Sequence, residues 1–429
     1  MNSKTVYTLY LMLISPVIGL YFGLKNSSRS AKRTLFIIFI TIYGTVIYLP
    51  PGSDGAVHEA AVYQHYVDLG FDQFIYETVG ILVFEKRGAY QEDLYIHVLS
   101  YFVGGVLGMP QLFFTFVSFI YAYFFVGSIF RIIDLNPAFK YKYAFYGFLT
   151  VFVLYKGIEG INTVRTWTGL WVLFYACISY YQTRKVKYLI LMFAAPLCHF
   201  GYFIMALPAW FVLVFGVRKY LYTVIFIMSF FLNLINPETA KTELEGTNEI
   251  GEATVQGYYV EEQQSINTKI ELTQGASWYK QLYKIGFQNY AIGFLAIMMI
   301  VGGYYYNKMN DVEARIFSIG ILTKALSSST WFLFALSNRS AVVAAVFVLG
   351  AFILVAQRGA LKTKYENGGK FENIAFHLAF LALVPIIFLK FAEMAELASV
   401  FLFSTPFVEW VMSDVNISIK NAYKLIFRD

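Results

Sequence analysis

The sequence predicts an all-α integral membrane protein, one domain of roughly 10 to 13 transmembrane helices. Three observations predict it. Of 429 residues, 58% are hydrophobic and only 14% charged, against about 45–50% and about 25% in soluble domains. The mean hydropathy is +0.57, and the apolar residues fall in long runs rather than in a helical or strand stripe. Finally, the segments between the runs alternate in charge. These numbers exclude a water-soluble enzyme, a disordered chain, a collagen and a disulfide scaffold. Aromatic residues make up 19% and read mostly as lipid-facing bulk and interfacial belts.

In chain order the runs cover 5–24, 34–49, 93–109, 111–130, 143–156, 166–182, 187–200, 201–217, 220–236, 286–306, 316–337, 340–356, 371–389 and 397–412. The first follows a single early Lys4, is too long for a signal-peptide core and lacks a small-x-small cleavage site, so it reads as a retained helix. Run 187–200 reaches only ~20 Å at 1.5 Å per residue, short of a ~30 Å hydrocarbon core. Runs of that length imply one or two tilted or re-entrant pieces. Cys177 and Cys198 lie inside apolar runs, so they read as small buried thiols without a CxxC site. No fixed-period repeat, low-complexity tract or heptad pattern is present.

Loop charges set an orientation. Segment 25–33 carries Lys25, Arg29, Lys32 and Arg33 without an acid; 183–187 carries Arg184, Lys185 and Lys187; Arg218 and Lys219 follow the eighth run; 357–370 holds four bases against Glu366. By the positive-inside rule these face the cytoplasm. That rule is also the natural reading of the net charge of +6, with no nucleic-acid partner implied. Segment 50–92 has seven acids against Lys86 and Arg87, and 237–285 has eight against four lysines; both read as outer loops. Lys140 and Lys142 want 131–142 inside, whereas simple counting puts it outside. The conflict disappears if 93–109, with Gly104, Gly105, Gly108 and Pro110, does not cross fully.

Polar groups at membrane depth are costly and therefore functional candidates. This topology gathers Lys156, Asn162, Arg165, His199, Arg339 and Asp54 at the outer face. Arginine presents a rigid fork that matches phosphate oxygens in pairs, so Arg165 and Arg339 suit a pyrophosphate; the other reading of Arg165 is an interfacial residue or an ion pair with Glu159. Asn162, three residues before Arg165, would share its helical face or cap the helix. His199 reads as a proton acceptor or as a satisfied core histidine. Asp54, in Pro-Pro-Gly-Ser-Asp-Gly, reads as a general base or as turn chemistry. His58 and His65 have acids nearby, but no spacing makes a metal site.

The order of these motifs resembles the EpsG/Wzy group of bacterial polysaccharide polymerases, glycosyltransferases of the GT-C class. An outer Gly-x-Asp (Gly52–Asp54) is followed by Tyr63 and Tyr66, then by Asn-x-x-Arg at Asn162–Arg165. A histidine in a short hairpin (His199) and a second outer arginine (Arg339) complete it. The resemblance spans roughly 34–350. The group typically has Arg-Gln where this chain has Arg165–Thr166, and an Arg often precedes the Gly-x-Asp where this chain has Leu49-Pro50-Pro51. It implies a multi-pass enzyme of the bacterial inner membrane that joins undecaprenyl-pyrophosphate-linked oligosaccharides at the periplasmic face, releasing undecaprenyl pyrophosphate. In that scheme Asp54, Arg165 and His199 are catalytic, while Lys156, Asn162, Arg339 and Tyr63 bind substrate. No metal or soluble cofactor is implied; a chain-length regulator and a flippase are the expected protein partners. The closest rival is a ligase that transfers glycan to lipid A core. A flippase for the same lipid would instead spread charge along the bundle midplane with pseudo-symmetric halves, and neither is seen.

Overall fold

The computed structural model describes residues 3–85, 93–135, 142–232, 288–330, 333–358, 370–408 and 416–427. The expected outer segment 237–285 and most of the basic segment 357–370 lie outside the described residues. What is described is helical, with one isolated β-bridge between Ser399 and Ser418. Two helices, Pro110–Leu135 and Ala335–Gln357, are long and apolar enough to cross a membrane, and five shorter apolar helices accompany them.

The first apolar run is not one helix. Pro16 lacks an N–H and is favoured in the first turn of a helix, and the chain breaks at Ser15 into α1 (Ser3–Ile14) and α2 (Pro16–Asn26). The two pack as a hairpin. A Cβ on Gly23 would stand 2.8 Å from Thr8, and one on Gly19 would stand 2.5 Å from the Met12 backbone.

Helix α3 (Arg29–Thr45) runs antiparallel to α7 (Phe113–Leu135). Arg29 pairs with Asp134 at one end, and Thr45 bonds Thr115 at 3.0 Å at the other. Between them in sequence lie α4 (Asp54–Ala61), which continues as a π turn through Tyr66, α5 (Phe71–Leu82), and α6 (Leu94–Tyr101), continued by a second π turn to Val106. Segment 50–85, read from sequence as loop, is therefore mostly helix. Its acids are in part spent on folding: Glu77, 1% exposed, accepts from Gln73 at 3.0 Å and contacts His65 at 3.1 Å. Phe74 stacks on both His97 and Tyr101.

After α8 (Lys142–Tyr155) comes the central helix α9 (Arg165–Thr183), buried along almost all of its length. Trp171 packs edge-on against Phe125, Phe152 and Phe174, and Phe174 meets Phe347. Then follow α10 (Val186–Cys198), the single turn α11 (Tyr202–Met205), α12 (Leu207–Phe215), α13 (Lys219–Leu232) and α14 (Gln288–Val301). Helices α15 (Asp311–Ser329) and α16 (Phe334–Gln357) form a tight hairpin, and α17 (Lys370–Leu397) and α18 (Ile419–Phe427) close the chain.

The bundle has two chemically distinct ends. At one end Arg29 meets Asp134, Arg184 meets Asp311 at 2.9 Å, Lys219 donates to the Tyr306 carbonyl and Arg358 holds Glu313 at 2.8 Å. Each described basic segment contributes to it. The other end carries the starts of α6, α9 and α16 and the end of α10. Both ends of segment 93–112 lie there: Asp93 bonds Arg165, and the Phe114 ring is 3.0 Å from the Cβ position of Gly55. That segment leaves and returns on one side.

Candidate functional site

Arg165 is the first residue of α9, preceded by a 3-10 segment, Ile158–Thr163. Val164 joins the two at φ +34°, a conformation that a β-branched residue adopts only under constraint. The constraint is visible. The Tyr121 hydroxyl donates to the carbonyl of Gly157 at 2.6 Å, and the Trp171 indole N–H donates to the Tyr121 oxygen at 2.9 Å. A Cβ on Gly160 would stand 2.6 Å from that hydroxyl, so the segment is held where only glycine fits.

His199 sits in extended backbone after Cys198, where α10 ends. Tyr202, fully buried, donates to the Thr166 carbonyl at 2.7 Å and ties this break to the first turn of α9. Arg339 lies in the second turn of α16. Ser327 and Ser337 exchange hydroxyl-to-carbonyl hydrogen bonds at 2.8 and 2.7 Å, which fixes the α15–α16 hairpin beneath it.

Asp93 joins these pieces. Its carboxylate, 2% exposed, accepts from Arg165 Nη1 at 2.7 Å, from His199 Nδ1 at 3.0 Å and from the Phe200 amide at 2.8 Å. A buried carboxylate is tolerated only when donors replace its lost water, and three do so here. On the other side of the imidazole, Arg339 Nη1 lies 3.2 Å from His199 Nε2. A guanidinium can only donate, so Nε2 is the acceptor. The ring is neutral, with its proton on Nδ1 facing Asp93. The result is a chain Arg165–Asp93–His199–Arg339 drawn from the starts of three helices and the end of a fourth.

The structure brings together Arg165, His199 and Arg339 of the sequence-derived candidates. Asp93 is not among the sequence-derived candidates, because it stands one residue beyond the acidic segment 50–92. Its signal is positional, an acid standing directly before an apolar helix at the face where the other polar groups gather. Arg165 pairs with Asp93 and not with Glu159. Instead Glu159 lies 3.2 Å from Lys390, which also meets Glu393. Lys156 sits next to this cluster, its ammonium 4.3 Å over the Trp167 ring. Asn162 belongs to the 3-10 segment, so it neither shares a helical face with Arg165 nor caps α9; its Oδ1 is buried beside Gly55 without a hydrogen-bond partner among the described residues. Asp54 is exposed in the first turn of α4 behind the capping Ser53, and Tyr63 is 50% exposed on the π turn. No family model, curated protein or solved structure matches the chain.

Proposed function

We propose that the protein is a multi-pass glycosyltransferase of the bacterial inner membrane. It would join oligosaccharide units carried on undecaprenyl pyrophosphate and release undecaprenyl pyrophosphate at the periplasmic face. The observation that carries this reading is a neutral histidine held between a buried carboxylate and an arginine, with a second arginine on the same carboxylate. Membrane placement is supported by the apolar helices and by large apolar side chains standing on the surface, among them Val214, Tyr220, Val301 and Phe388. Exposed apolar area on this scale needs lipid or a partner to cover it. The clustering of basic residues at the opposite end supports the orientation, and the return of segment 93–112 to its own side removes the parity conflict at 131–142.

The chemistry follows from the donor set. An acceptor hydroxyl attacks the anomeric carbon of the donor sugar; the bond to the pyrophosphate oxygen breaks and the leaving group takes the electron pair. Arg165 (27% exposed) and Arg339 would bind that pyrophosphate, a preorganised cationic role. His199 Nε2 would take the hydroxyl proton. Asp93 is a positioning residue, fixing the tautomer that leaves Nε2 basic and orienting Arg165.

Deleting the gene and running the surface polysaccharide on a gel tests the reading. The expected result is loss of the long ladder with a single repeat unit still attached to its acceptor. Loss of all attached glycan with polymer left on the lipid carrier would assign a ligase. Single lipid-linked units accumulating on the cytoplasmic side would assign translocation and remove the catalytic roles given above.

A further inference from the structure

A second group of cations lies at the basic end, on the flank formed by α3, α7 and α10. The Arg33 guanidinium lies 5.8 Å from the Tyr123 ring. Arg131 donates to the Tyr188 hydroxyl at 2.8 Å and lies over the same ring, and Lys187 stands 5.0 Å from that ring. Tyr175 packs edge-on against both Tyr123 and Tyr188. The two arginine-bearing walls meet over Gly127, where a Cβ would stand 2.9 Å from the Tyr175 ring and 3.3 Å from Arg33 Nη2.

What the group lacks is an anion. Among the described residues no carboxylate pairs with Arg33 or Arg131; the neighbouring Asp134 is taken by Arg29. The residues that follow α7, Asn136-Pro137-Ala138-Phe139-Lys140-Tyr141, include no acid. Arg131 Nε is buried with no hydrogen-bond partner among the described residues. Guanidinium forks away from water satisfy their donors with carboxylates or phosphates. We propose that Arg33, Arg131 and Lys187, with the hydroxyls of Tyr123, Tyr175 and Tyr188, bind the phosphate of an anionic phospholipid headgroup.

Two observations select a lipid over free phosphate. Arg33 is four residues from Arg29, and Arg131 three from Asp134, so both lie about 5–6 Å inside the end of their helices, the depth of a headgroup if α3 and α7 span. Phe119 and Tyr123, one turn apart on α7, are 49% and 42% exposed, so an apolar strip that an acyl chain can cover leads away from the site. Basic pockets between helices on the cytoplasmic side have this character. The inference rests on the membrane placement proposed above and not on the transferase chemistry, and its test involves no glycan.

The purified full-length protein in neutral detergent is titrated with phosphatidylglycerol, phosphatidylcholine or inorganic phosphate while its thermal unfolding is followed. Phosphatidylglycerol is expected to raise the unfolding temperature and phosphatidylcholine to leave it unchanged. The rise should be lost in Arg33→Gln/Arg131→Gln and kept in Arg184→Gln, whose ion pair with Asp311 lies elsewhere on the same end. An equal rise with phosphatidylcholine, or a rise that survives the double substitution, overturns the site. An equal rise with inorganic phosphate keeps the anion and overturns the lipid. Should the double variant not fold, a photoactivatable phosphatidylglycerol on the unmodified protein decides. Crosslinks are expected in the peptides carrying Arg33, Tyr123–Arg131 and Lys187, and crosslinks confined to other peptides overturn the proposal.

Discussion

Replacing Asp93 with asparagine keeps the side chain's shape and exchanges one acceptor oxygen for an NH2 donor. Arg165 and His199 share Oδ2, while the Phe200 amide takes Oδ1. The new NH2 faces either the first two donors, releasing Arg165 and turning the His199 ring, or the Phe200 N–H, loosening the backbone beside His199; on the proposed chemistry each costs the base its setting. Elongation should slow on the order of 100-fold in Asp93→Asn, the usual scale of a positioned proton acceptor, with protein level in the membrane unchanged. Ladder formation after pulse labelling, quantified against an immunoblot, measures both; near wild-type elongation would remove Asp93 from the site. Arg165, His199 and Arg339 are legible because each borders or interrupts an apolar run, where a polar group needs a reason. Asp93 is less legible, because it follows an acidic stretch and only its place directly before an apolar helix sets it apart. Asp54 keeps both of its sequence readings: a Ser-Asp-Gly string serves a helix start as well as it serves catalysis, and here Ser53 caps α4 by accepting from the Ala56 amide at 3.4 Å.

At the scale of the element, Val164 links a 3-10 segment to a central helix in a positive-φ backbone shape that a residue without a Cβ adopts at lower cost. Val164→Gly removes a fully buried side chain worth about 1.5–2 kcal/mol and relieves roughly 1–3 kcal/mol of backbone strain. The two nearly cancel, so thermal stability in detergent should move little. Elongation should nonetheless fall several-fold, because a glycine joint fixes the start of α9 less firmly and Arg165 is its first residue. A large drop in unfolding temperature would show that the strain estimate is wrong for this joint. Sequence reading located most helices from their apolar runs but not their interruptions. Pro16 folds 5–24 into a hairpin, and 201–217 is two pieces, Tyr202–Met205 and Leu207–Phe215. Such breaks depend on which close approaches the tertiary structure offers (Gly19 onto Met12, for example), and periodicity carries no trace of them. Segment 50–92 reads as an outer loop from its excess of acids; within its described part Glu77 is instead buried against Gln73 and His65.

Across the whole molecule, α9 supplies a ruler. Its 19 residues separate Arg165 from the basic end by about 28 Å, close to the thickness of a hydrocarbon core. Cys177 and Cys198 are both buried, which leaves a low background for surface labelling. A cysteine at exposed Asp54 should react with a membrane-impermeant maleimide added to intact spheroplasts, whereas one at exposed Lys185 should react only after the membrane is opened. The reverse pattern would invert the orientation and with it the periplasmic assignment. This end-to-end polarity was the most legible feature of the sequence, since charge counts along loops need no knowledge of packing.

The contact between Arg339 and His199 Nε2 also bears on timing. In the resting protein the lone pair that would accept a proton is already engaged, so an acceptor sugar arriving alone, or a water molecule, meets a base that is shielded. A pyrophosphate competes for the same guanidinium with two charges and several oxygens. Once it draws Arg339 away, the imidazole is uncovered with the leaving group already in place. On the proposed chemistry the site would thus be interlocked: the donor is loaded before deprotonation becomes available, which favours donor-first binding.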